Sequence, residues 1–139
     1  MSRESRHLAG ILLVVYPTVI YGGVSLLREL IAASPGYIEN PVRQDLWRAG
    51  HAHAGVFLVL SLVVLRLVDE ARLSSALKAF VRLTTPIAAI LMPVAFFLSI
   101  APPDATRPNA LIYLAYAGAI LLAAGLVTLG VGLLRHPAT

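Results

Sequence analysis

Apolar residues run through this chain in four blocks, and its charged residues gather between them. A helix that crosses a bilayer needs roughly 20 largely apolar residues. Four stretches meet that requirement, and they predict helices over about 8–31, 49–68, 80–101 and 108–134. Arg66 falls inside the second block, near its end, where a long stem lets the guanidinium reach the interface. Arg3 and Arg6 ahead of an apolar run also resemble a signal peptide. The run continues to Leu27, however, and is read as the first transmembrane helix. The expected fold is all-α: a polytopic membrane protein whose 139 residues form one four-transmembrane-helix bundle.

Punctuation within the blocks adds detail. Pro17 and the pair Gly22-Gly23 predict a kink in the first helix. Thr18, Gly22, Ser25 and Glu29 recur at helical spacing and place a small, polar stripe on one face of it. The connection over 32–46 is the longest, with turn signals at Ser34-Pro35-Gly36 and Asn40-Pro41. Ile38 and Trp47 suit the membrane interface. Ser74 offers an amino-terminal cap to the third helix, which Pro86 and Pro93 should bend. In the fourth helix Gly118, Gly125 and Gly132 repeat every seven residues. They form a helix-packing seam whose partner is either another helix of this chain or a second copy.

Composition narrows the class. Charged residues make up 13% of the chain, against about a quarter in a soluble domain, so the solvent expected for most of the surface is the lipid bilayer. With no cysteine, disulfides and thiolate metal sites are excluded. The net charge of +4 is not read as nucleic-acid binding, because the basic residues flank apolar runs, where they orient helices. Arg3, Arg6, Arg66, Arg72, Lys78, Arg82 and Arg135 fall on one side; Arg28, Arg43, Arg48 and Arg107 fall on the other. That asymmetry predicts an integral protein of a bacterial cytoplasmic membrane with both termini cytoplasmic.

The candidate chemistry lies in Gly50-His51-Ala52-His53-Ala54-Gly55, at the expected start of the second helix. Ionisable groups in a membrane span are costly and usually functional. At about 100° per residue the two rings stand about 200° apart. A regular helix cannot aim both at one ion, whereas a zinc-binding helix spaces histidines at i and i+4. One histidine alone works, or the first turn is irregular, or each serves its own site. Companions expected at that depth are Glu29, Glu39, Asp45, Asp104, Tyr113 and Tyr116. The candidate metal set is His51, His53 and Glu29, with Asp45, Tyr113 and Tyr116 as a proton relay or outer shell. The plainer alternative is a pair of interfacial histidines bonded to water or headgroups.

The stretch Gly50-His51-Ala52-His53-Ala54-Gly55-Val56-Phe57-Leu58 resembles the His-x-His start of an early helix in haem-copper oxidase subunit I-like membrane proteins. The resemblance implies that His51 or His53 is an axial ligand to haem. It covers about a dozen residues, and those proteins have many more helices and further histidines. Here the only others, His7 and His136, fall on the opposite side of the membrane. A second axial ligand would come from a symmetry mate, or from Met92, Tyr16 or Tyr21. The function this implies is a haem- or copper-binding redox or electron-transfer component, acting as a homo-oligomer or as a subunit of a larger complex. Two other readings stay open. One is a non-enzymatic accessory subunit, since no Ser-His-Asp set, phosphate loop or intramembrane carboxylate pair is visible. The other is a small transporter, although the core of the first helix lacks the buried carboxylate that ion coupling needs.

Overall fold

The computed structural model of the chain describes residues 1–135; His136 lies outside them. The described residues form helix α1 (Arg3–Ile31), a single turn α2 (Pro35–Ile38), α3 (Pro41–Leu67), α4 (Ser75–Leu98) and α5 (Tyr113–Leu134), the last preceded by a 3-10 turn at Ala110–Ile112. α1, α3, α4 and Ala110–Leu134 are each long and apolar enough to cross a membrane. The protein is thus an all-helical bundle of four potential spans.

Local chemistry sets the helix ends. Ser2, Asn40 and Ser74 cap α1, α3 and α4, each side-chain oxygen accepting a backbone N–H three residues on. The main departure from expectation is the start of α3. It begins at Pro41, eight residues before position 49, because Asn40-Pro41 supplies a cap and a preset first turn. The segment Arg43-Gln44-Asp45 is helical although it is too polar for hydrocarbon. At the other end of α1, Ala33 takes a left-handed φ of 48°. Its N–H donates to Leu30 O and that of Ser34 to Glu29 O, a closure that usually recruits glycine.

α4 is the axis of the bundle. It packs along α3 on one side and α5 on the other, while α1 packs on α3. The α4–α5 contact is made at the glycines. Gly118, Gly125 and Gly132 are buried and face Met92, Thr84 and Leu73 respectively. The seven-residue seam is therefore spent within the chain, on α4 and the turn after α3. Lipid provides no hydrophobic drive between helices, so close backbone approach of this kind supplies much of the packing energy.

Each end of the bundle is tied by polar groups. At the end holding the amino terminus, Arg82 bridges to Asp69 at 2.7 Å and donates to Ser5 Oγ and Ser2 Oγ. The Ser2 N–H donates to the other Asp69 oxygen at 2.6 Å. Burial alone would raise the Asp69 pKa, but these hydrogen bonds outweigh it and hold the carboxyl down to about 2. This latch fastens the foot of α1 to the α3–α4 turn. At the opposite end Arg43, only 4% exposed, donates to the carbonyls of Gly36, Ile100 and Ala101 and lies over the Trp47 ring, 5.0 Å from its centroid. Tyr37, Trp47 and Phe97 stack beside it. The long connection thus folds into a cap over that end of the bundle.

Candidate functional site

Because α3 starts at Pro41, His51 lies about 15 Å along the helix rather than in its first turn. Both histidines lie beyond Arg43 on α3, His51 about one turn past Arg48. Their rings diverge, as the 200° separation requires. His51 turns to α1 and His53 turns to α4.

His51 is seated against Gly22 and Gly23. A Cβ on Gly23 would stand 2.9 Å from His51 Nε2, and one on Gly22 would stand 3.7 Å from Nδ1. Only glycine at position 23 lets the imidazole lie so close to the backbone of α1. Beside this contact α1 and α3 leave an open groove of 690 Å³, lined by Tyr16, Val19, Gly23, Leu27, His51 and Gly55 among others.

His53 is held differently. Its Nδ1 lies 2.6 Å from the carbonyl of Ala49, one turn back. A carbonyl only accepts, so Nδ1 is the donor in this contact. Phe57 meets the ring edge-on at 5.3 Å between centroids, and Phe96 of α4 lies at 5.2 Å. The ring lines a second, shallow recess of 170 Å³ with Ala52, Val56 and Phe57. Ala52 and Val56 form an outward ridge of α3 that lines both this recess and the groove.

The other expected companions lie elsewhere. Glu29 is two turns beyond Gly22 on α1, about 10 Å from the His51 level, and does not line the groove. Asp45 is exposed on the polar first turns of α3. Tyr113 and Tyr116 stack on each other at 6.1 Å and are 68% and 66% exposed. They sit on α5, which packs mainly against α4. Among the described residues, no three His, Asp or Glu side chains converge as a metal site.

Sequence reading passed over Arg43, counted only as one basic residue in a loop, and Gly23, taken as part of a kink. The Asn40-Pro41 capping signal, followed through, would have placed Arg43 on a helix and the histidines deeper. No family model matches the chain, and neither a characterised protein nor a solved structure shows significant similarity to it.

Proposed function

We propose that this four-helix protein is a redox component of the membrane, with both termini cytoplasmic, in which His53 is an axial ligand to haem. The observation behind this reading is the 2.6 Å contact from His53 Nδ1 to the Ala49 carbonyl. Metal-ligating histidines characteristically donate their second N–H in this way, which fixes the tautomer and raises the basicity of the ligating nitrogen. Phe57 and Phe96 pack on the ring. His51 does not fit the same role, because its Nε2 abuts the α1 backbone at Gly23 where a porphyrin would have to lie. A bare copper ion is less well served than haem, since it needs several convergent side chains and haem brings four nitrogens of its own.

The bound group would supply one-electron chemistry, and the chain would supply a ligand, an apolar wall and exclusion of water. A recess of 170 Å³ covers only an edge of such a group. This reading therefore includes a second surface, from another copy or a companion subunit, that closes over the Ala52–Val56 ridge and contributes the opposite ligand. Protein purified in mild detergent from haem-replete cells should show a Soret band. His53→Ala should remove it, His51→Ala should keep it, and haem should titrate to one per two chains. A band that survives His53→Ala, or its absence from the unaltered protein, refutes the assignment.

A further inference from the structure

The first turns of α1 carry a polar feature that the haem reading does not use. Ser5 and Leu12 are buried, Ser5 accepting from Arg82 and Leu12 packing with Leu58 of α3. Arg6, His7, Gly10, Ile11, Val14 and Val15 are exposed instead. Together these six line an open groove of 500 Å³ on the outer face of the helix. Its two ends differ in chemistry. Arg6 and His7 immediately precede the apolar run that starts at Leu8, where basic residues meet the membrane surface. Past them the groove is wholly apolar.

Two observations select the occupant. The first is charge. Among the described residues Arg66 and Arg82 are paired with Glu70 and Asp69, whereas Arg6 is paired with no carboxylate. Glu4 lines the neighbouring recess of Arg3 and His7 and not this groove. The second is Gly10. Glycine weakens a helix interior unless close packing uses its missing side chain. Gly22, Gly23, Gly50, Gly55 and the three seam glycines each have another helix or turn in contact where a Cβ would stand; Gly10 and Gly130 have nothing there. Of these two, only Gly10 has an arginine one turn away, so it forms a notch beside a cation that has no anion. A guanidinium matches a phosphate group with two parallel hydrogen bonds. Free phosphate would meet Arg6 and leave the apolar strip bare. A hydrocarbon would cover the strip and leave Arg6 without a counter-charge. An anionic phospholipid supplies both parts.

We propose that this groove is a docking site for an anionic phospholipid, its phosphate at Arg6 and His7 and an acyl chain along Gly10, Ile11 and Val14. The site shares no residue with the His53 recess and does not depend on haem. The test is native mass spectrometry of the full chain in mild detergent, titrated with phosphatidylglycerol. Phosphatidylglycerol should be retained in preference to phosphatidylcholine, whose choline cancels the phosphate charge. Arg6→Gln should weaken retention about five-fold, the contribution of one basic residue near anionic lipid. Arg72→Gln removes the same charge from the α3–α4 turn, to which the foot of α1 is latched, and should leave retention unchanged. Gly10→Leu should weaken it at least as much as Arg6→Gln by filling the notch, without harming the fold, since a Cβ there meets nothing within 4 Å. Excess inorganic phosphate should not displace the lipid. Equal retention of phosphatidylcholine, equal effects of Arg6→Gln and Arg72→Gln, undiminished binding to Gly10→Leu, or release by phosphate each overturns the proposal. Should Arg6→Gln fail to fold, Gly10→Leu and the phosphatidylcholine comparison decide it.

Discussion

Gly125→Ala tests the α4–α5 contact most directly. A Cβ at position 125 would stand 2.0 Å from Thr84 Oγ1 and 2.8 Å from Thr84 Cβ. Rotating the threonine removes the first clash but sacrifices its hydrogen bond to the Val81 carbonyl, worth about 1 kcal/mol. The second clash persists because that Cβ is fixed to the backbone of α4. The helices must then separate by about 0.5–1 Å, which forfeits a quarter to a half of the dispersion energy of the contacts opened. Overpacking of this kind costs about 1–3 kcal/mol, and the better helix propensity of alanine returns up to about 1. The expected net loss is about 2 kcal/mol. Gly130 is the internal control, since a Cβ there meets nothing within 4 Å. Gly130→Ala should be neutral or stabilising by up to about 1 kcal/mol. Unfolding by SDS from mild-detergent micelles, followed by far-ultraviolet circular dichroism and Trp47 emission, measures both. Thr84→Ala should relieve part of the damage in the double variant. Equal midpoints for Gly125→Ala and Gly130→Ala would show that α4 and α5 do not approach at this glycine.

Three further outcomes follow from the tied ends of the bundle. Arg43→Ala strips donors from the carbonyls of Gly36, Ile100 and Ala101 and should cost about 3 kcal/mol; Arg43→Lys, with its donors on one nitrogen, should recover less than half, and a full recovery in thermal unfolding would argue against a fork-shaped requirement. Ala33→Gly should stabilise by about 0.5–1 kcal/mol, because glycine bears no Cβ penalty at φ 48°; an unchanged or lower midpoint would contradict the left-handed closure. The Asp69 carboxyl is lowered from 3.8 to about 2 by folding. A depressed acid contributes stability above its unfolded value and loses it as pH falls through the folded one, here between about pH 4 and 2. The contribution is about 2 kcal/mol, so Asp69→Asn should lose that much at neutral pH and flatten this part of the acid profile.

The sequence by itself determined the four spans, because hydrocarbon tolerates only long apolar helices with their backbone bonds satisfied. It also determined that Gly118, Gly125 and Gly132 share a face and that His51 and His53 cannot, since both follow from the pitch of a helix. The start of α3 was misplaced because an apolar window ends where the polar residues begin, whereas the helix continues through Arg43 to its cap at Asn40. Only the tertiary structure decided which neighbour each face meets: α4 and the turn before it for the glycines, Gly22 and Gly23 for His51, Phe96 for His53. Helix periodicity fixes a direction around one axis, but the neighbour in that direction depends on how separate helices pack. In a bilayer that choice rests on short-range fit and on a few buried donors such as Arg43, and neither has a signature along the chain.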